Sequence, residues 1–169
     1  MKTEDILTAE SLHRALLYEP DTGIFRWRVT RSTNAKAGDV AGTTKADGYR
    51  QLSIYGFLML AHRAAWCYVH GEWPKHDIDH INGDIIDNRI ANLRDVPRLL
   101  NMQNQRRAQA KNATGFLGVT QDKKRGTYHP KIRIPGEKNP RHLGTFRTAE
   151  AAHEAYLEAK RKLHAGCTI

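Results

Sequence analysis

Between Ile78 and Gln105 the chain reads IDHINGDIIDNRIANLRDVPRLLNMQNQ, in which an Asp79-His80 pair is followed by Asn92 and Asn101. A carboxylate, an imidazole and later amides are the parts of a phosphodiester-hydrolysing site built on one metal ion. Such hydrolysis needs a water made nucleophilic and a cation to stabilise charge on the phosphate and on the departing 3′ oxygen. A neutral imidazole can take the water's proton near pH 7, and a carboxylate with an amide oxygen can hold a hard divalent ion. Successive strand residues point to opposite faces, so Asp79 and His80 need local twist or different partners to serve one phosphate. Asp79 is therefore read as a metal ligand and His80 as the base, with the second ligand from the helix that follows. Asn82, Asp84, Asp87 and Asn88 have the residue types of turn builders. His62 is read as a histidine packed at the start of a helix, with contact to the site or to a phosphate as the alternative.

The elements that must position these groups follow from pattern. Residues 4–18 carry Ile6, Leu7, Leu12, Ala15 and Leu16 at helical spacing, with Thr8 as a cap. The turn Pro20-Asp21-Thr22-Gly23 leads into a strand with Ile24, Phe25, Trp27 and Val29. Gly38, Gly42, Gly48 and Gly56 separate further short strands of a small antiparallel sheet, and residues 62–71 read as a helix ended by Gly71. Asp79-His80 then lies on a strand, a loop from Asn82 to about Asn92 reverses the chain, and Leu93 to Val96 returns. Pro97 suits the first position of a helix running to about Ala108. The order is strand, loop, strand, helix: a ββα unit. After a basic linker, FLGVT, TYHPKIRI and RHLGTF read as three strands, and TAEAAHEAYLEAKRKL as a helix capped by Thr148.

Charge is distributed unevenly. Residues 1–100 hold 13 Lys/Arg and 13 Asp/Glu, whereas residues 101–169 hold 14 and 5, so the whole net charge of +9 sits in the C-terminal part. A basic domain fused to a neutral one suggests an anchor on a polyanion. Alternation in the second strand of that part puts His129, Lys131 and Arg133 on one face, and Tyr128, Pro130, Ile132 and Ile134 on the other. The apolar face must meet the helix, which leaves the basic face for the major groove of duplex DNA. Cys67 and Cys167 are far apart and no CxxC occurs, so neither a disulfide framework nor a zinc knuckle is expected. The N-terminus lacks the regions of a signal peptide and no segment has the apolar length of a membrane span, so a cytoplasmic chain without membrane partners is expected.

The pattern DHINGDxxDNRxxNLR followed by Asn, here Asp79, His80, Asn82, Gly83, Asp84, Asp87, Asn88, Arg89, Asn92, Leu93, Arg94 and Asn101, resembles the HNH (ββα-metal) nucleases of phage and intron homing endonucleases. The upstream LLYxPxTGxFxW (16–27), GYR (48–50) and HRxAWxYxxGxWP (62–74) resemble that family's leader. The resemblance implies His80 as general base, Asp79 and Asn101 as metal ligands, and Asn92 as the residue that holds the loop and orients the base. Asn104, one helical turn on, is the reserve ligand. It also implies one divalent ion, Mg²⁺ or else Mn²⁺, and products with 5′-phosphate and 3′-hydroxyl ends.

Residues 114–164 are similar to an AP2 DNA-binding domain, on Gly118-Val119, Ile132-Arg133, Leu143-Gly144-Thr145-Phe146 and the TAEAAxxAY run from Thr148 to Tyr156. That similarity places Thr120, Lys124, Lys131, Arg133 and His142 towards DNA, with Arg106 and Arg107 of the preceding segment added to the DNA-binding set. Tyr128 stands where the family has Trp, Lys131 where it has Glu, and Leu117 and Thr120 where it has Arg, so the plant family's base preference does not carry over.

The sequence thus leads to an α+β chain with an HNH nuclease domain over residues 1–108, its ββα unit at about 76–108, a linker at 109–114 and an AP2-like domain at 115–169. The expected function is site-specific, metal-dependent cleavage of double-stranded DNA by a monomer, or by two copies on DNA, in a phage-infected bacterial cell. The rival is a DNA-binding regulator that keeps the nuclease only as a scaffold. The charge split predicts that residues 109–169 alone bind duplex DNA with an affinity that falls steeply as salt rises, measured by fluorescence anisotropy across a salt series; a flat dependence would reject the basic sheet as the anchor.

Overall fold

In the computed structural model, which describes residues 7–169, the chain is a mixture of short helices and small antiparallel sheets. It divides into two compact units, Met1–Pro97 and Arg98–Ile169. Among the described residues no helix is long and apolar enough to cross a membrane.

The first unit opens with α1 (Ala9–Ala15), where the Thr8 hydroxyl accepts a hydrogen bond from the Ser11 amide at 3.3 Å. The helix expected over 4–18 is therefore shorter at its C-terminal end, and its first residues, Ile6 included, lie outside the described part. Leu16 to Glu19 form β1 instead, with Leu16 and Tyr18 inward and Leu17 outward. That period of two is the signature of a strand, and pairing with β2 (Ile24–Trp27) in the register Leu16↔Trp27 overrides the helical spacing. The Pro20–Gly23 turn closes this hairpin, with the Gly23 amide bonded to the Glu19 carbonyl at 2.8 Å. Strands β3 (Thr43–Thr44), β4 (Arg50–Ile54) and β5 (Phe57–Leu60) form a separate antiparallel sheet. It leads into α2 (Ala61–His70), which stops at Gly71 in the left-handed conformation. Leu12, Leu16, Phe25, Leu52, Ile54, Ala64 and Cys67 are fully buried in one core under these elements. Strands β6 (Asp77–His80) and β7 (Leu93–Val96) complete the unit as an antiparallel pair, His80 opposite Leu93 and Asp79 opposite Arg94.

The second unit begins with α3 (Arg98–Gln103), which ends well before the expected Ala108. The chain leaves the helix where its side chains bind the C-terminal tail. Gln103 Oε1 accepts from the Gly166 amide at 3.0 Å, Asn104 Oδ1 accepts from the Thr168 hydroxyl, and Arg106 donates to the Thr168 carbonyl at 3.0 Å. Residues 112–116 are built around Asn112, whose Oδ1 accepts from the Thr114 amide at 2.9 Å and whose Nδ2 donates to the Phe116 carbonyl at 2.9 Å. Strands β8 (Val119–Asp122), β9 (Thr127–Ile132) and β10 (Arg141–His142) form a sheet in the order β10-β9-β8. Helix α4 (Ala149–Leu163), capped by Thr148, packs on β9 and β8. Val119, Pro130, Ile132, Ala152 and Tyr156 are buried between sheet and helix, whereas Lys131 and Arg133 are exposed, as the alternation requires. Gly118, at φ +75°, lies so close to Tyr156 that a Cβ there would sit 2.2 Å from its ring, so the sheet meets the helix through a glycine.

Candidate active site

Strand β6 carries the Asp-His pair, and the physical problem it poses is burial. Asp79 and His80 retain only 6% and 4% of their surface. Buried polar groups need partners. The Asp79 carboxylate finds one across the strand pair, where Arg94 approaches Oδ2 at 2.7 Å and 2.8 Å through two nitrogens. On His80, Nε2 stands 3.1 Å from the amide oxygen of Asn88, itself 3% exposed. An amide oxygen only accepts, so the contact matches the neutral tautomer that carries its hydrogen on Nε2.

The loop that delivers Asn88 is tied by its own side chains. Asn82 Oδ1 accepts from the Asp84 amide at 2.8 Å, Asp84 Oδ1 from the Ile86 amide at 3.1 Å, and Asp87 Oδ1 from the Arg89 amide at 3.3 Å. These three are turn builders, as their types suggest. Arg89 also donates twice to the Asp87 carboxylate, and these bonds hold its pKa down at about 2. Asn92, 7% exposed, pins the loop at both ends: Oδ1 accepts from the Asn82 amide at 2.9 Å, and Nδ2 donates to the Asp87 carbonyl at 2.8 Å. The two tasks assigned to Asn92 are thus divided. Asn92 secures the loop, and Asn88, expected only to build the turn, contacts the imidazole.

Two aromatic residues complete the surroundings of His80. His62, on the first turn of α2, meets His80 in a T-shaped ring contact, with centroids 5.1 Å apart and ring planes at 82°. Tyr49 stands 5.3 Å from His62 and 6.3 Å from His80. His62 is packed, as expected, and it is also a wall of the site. Burial, reinforced by the neighbouring His80 and Arg63, pushes its pKa down to about 3, so the ring is neutral at physiological pH. Burial likewise raises the Tyr49 phenol.

The remaining candidates belong to the second unit. Asn101 is half-buried on α3, and Asn104 bonds Thr168. Thr120, Lys124, Lys131, Arg133, His142 and Arg107 are all exposed. The Thr120 hydroxyl donates to the His129 carbonyl at 3.1 Å, and Lys131 faces His142 across β9 and β10. His142 Nε2 lies 3.2 Å from His129 Nδ1. Arg106 differs from this group, since its guanidinium is turned to Thr168. Among the described residues no three His, Cys, Asp or Glu side chains gather as a metal cluster, and the proposed ligand pair of one carboxylate and one amide is not such a set.

A buried acid-imidazole pair on a two-stranded sheet, with a pinned loop holding the imidazole, defines a site suited to moving one proton. Residues 59–103 match the family model for HNH endonucleases, HNH_3. The matched segment contains His62, Asp79, His80, Asn88, Asn92 and Asn101, and the match points to a nuclease acting on nucleic acid. No curated protein and no solved structure matches the chain significantly.

The depressed pKa of His62 couples folding to pH. Below pH 6.5 an unfolded chain protonates this ring while the folded protein keeps it neutral down to about pH 3. The unfolded state therefore binds more protons in that window, and stability falls as pH falls through it, by up to about 1.4 kcal/mol per pH unit from this group. Urea unfolding between pH 7 and pH 4 is expected to show this slope, and His62→Phe to flatten it; an unchanged slope in the variant would assign the acid sensitivity elsewhere.

Proposed function

We propose that this protein is a site-specific, divalent-metal-dependent DNA endonuclease of the homing type, in which the HNH segment cuts and the AP2-like second unit binds duplex DNA. The observation that carries the reading is the buried His80, held through Nε2 beside Asp79 inside the segment that matches HNH endonucleases. With Nε2 occupied, Nδ1 is the nitrogen that accepts a proton from the attacking water. Asn92 keeps the loop closed and the Asn88 contact at Nε2 keeps the ring from turning, so the His80 ring is held in place without reorganising. Asp79 and Asn101 are the proposed holders of the ion. Their donors are a carboxylate and an amide oxygen, without thiolates, which fits a hard ion such as Mg²⁺, with Mn²⁺ as substitute. Bound there, the ion would supply charge stabilisation at the phosphate and at the departing 3′ oxygen.

On the second unit, Thr120, Lys131 and His142 are exposed on β8, β9 and β10, with Thr120 opposite His129 and Lys131 opposite His142. Lys124 is exposed in the β8–β9 turn and Arg133 just beyond β9, while helix α4 packs on β9 and β8. Glu150, Glu154 and Glu158 are exposed on that helix, so the acids lie away from the basic strands. This separation of sign supports DNA binding by the sheet, with Arg107 alongside. One such site hydrolyses one strand at a time, which allows nicking by a monomer or double-strand cleavage by two copies on DNA.

The Arg94–Asp79 ion pair favours a second reading. The guanidinium already balances the carboxylate as a cation would, and a chain so neutralised could serve as a sequence-specific DNA-binding regulator on a nuclease scaffold. The two readings part on incubation of the protein with supercoiled DNA of its source genome, in Mg²⁺ and in EDTA. Nicked or linear product that requires Mg²⁺ and disappears in His80→Ala is expected. Binding without cleavage in Mg²⁺ or Mn²⁺, on DNA containing a footprinted site, would establish the regulator.

A further inference from the structure

The N-terminal hairpin β1–β2 is remote in sequence from Asp79 and His80, and nothing in the cleavage chemistry requires it. Its sequence, LLYEPDTGIFRW, carries fixed features whose purpose the proposed function leaves open. Two of them touch one residue of the site. The Tyr18 hydroxyl, at the middle of β1, donates a buried hydrogen bond of 2.7 Å to the main-chain carbonyl of Asn88. Gly23, in the turn at φ +73°, packs directly against the same peptide: a Cβ added there would lie 2.4 Å from the Asn88 carbonyl carbon and 2.4 Å from the Arg89 nitrogen. Only a glycine admits that approach.

We propose that the hairpin is a positioning element of the active site, acting through Asn88: Tyr18 and Gly23 fix the Asn88 backbone, and the Asn88 side chain fixes the His80 ring. The inference deepens the nuclease reading and rests on it for the role of His80. Other supports of the loop act elsewhere. Asn92 bonds Asn82 and the Asp87 carbonyl, and Asp87 bonds Asn82 and Arg89, so these side-chain ties secure Asn82 and the two neighbours of Asn88, Asp87 and Arg89. The Asn88 carbonyl itself is held by Tyr18. The phenol keeps its proton at working pH, since burial pushes its pKa up to about 12. Tyr18 also sits in the core against Phe25 and Tyr68, with ring centroids 4.8 Å and 5.7 Å away, so its hydroxyl is aimed by packing. A chain of contacts therefore runs from the hairpin core through one hydroxyl, one peptide and one amide to the base.

The test uses Tyr18→Phe, which keeps the ring and removes only the hydroxyl, together with Asn88→Ala and the double variant of the full chain. Steady-state cleavage of a target plasmid in Mg²⁺ is expected to show kcat lowered about tenfold in Tyr18→Phe with KM unchanged, the size of one lost buried hydrogen bond. Because both residues act on His80 along one path, the double variant should cut no more slowly than Asn88→Ala alone. Wild-type kcat in Tyr18→Phe, or effects of the two substitutions that multiply, would overturn the proposal. Thermal melting of each variant separates this from loss of fold. The ¹⁵N resonances of the His80 ring, expected to move in Tyr18→Phe while those of His129 stay, give a readout that needs no cleavage. If the wild-type chain does not cut DNA, the nuclease reading fails, and this shift alone decides whether the hairpin positions His80; unmoved His80 resonances would overturn it.

Discussion

One buried imidazole sets the terms for the first unit. His80 lies on a short strand with almost none of its surface in water, and its Nε2 meets one amide oxygen, that of Asn88. An unsatisfied polar atom at such depth costs on the order of 1–3 kcal/mol, so the loop that supplies the acceptor cannot wander. The same contact bears on which ring nitrogen carries the proton, and with it where the proposed base would act. Folding and chemistry thus make one demand: Asn88 must stay in place.

Much of the unit can be understood from that demand. The 82–92 loop is polar and partly exposed, and a loop of that kind has little hydrophobic burial to order it. Its order comes from short side-chain to backbone bonds of Asn82, Asp84, Asp87 and Asn92, each closing a small ring. Hairpin β1–β2 then braces the loop from the side of the core, while His62 and Tyr49 wall the imidazole with rings. In the second unit the ordering is hydrophobic instead. A glycine lets Tyr156 of α4 reach the sheet, and the strands turn their charged residues outward.

The legible parts of the sequence were those with local causes. Alternation placed Lys131 and Arg133 opposite Pro130 and Ile132, Thr148 and Thr8 marked helix starts by their hydroxyls, and the β7 strand falls at Leu93–Val96 as the pattern requires. The Asp79-His80 pair was visible by residue type, as were the turn-building roles of Asn82, Asp84 and Asp87. What escaped depended on tertiary contact. Leu16 continues a helical spacing, yet pairing with Trp27 makes it a strand residue. Helix α3 stops early because a tail more than sixty residues later takes its amides. Asn88 looks like one more turn residue until the fold turns its side chain inward onto His80. His62 was read as packed, with contact to the site as the alternative, and the structure packs its ring on His80.

The central claim is that the Asn88 amide fixes the His80 ring in one tautomer. A long-range ¹H–¹⁵N correlation spectrum of histidine-labelled protein, with His80 assigned by the signals lost in His80→Gln, measures that directly. In the neutral ring the account predicts the proton on Nε2 and an unprotonated Nδ1. A proton found on Nδ1 would leave Nε2 without a hydrogen to share with the Asn88 oxygen and would contradict the arrangement on which the proposed chemistry depends.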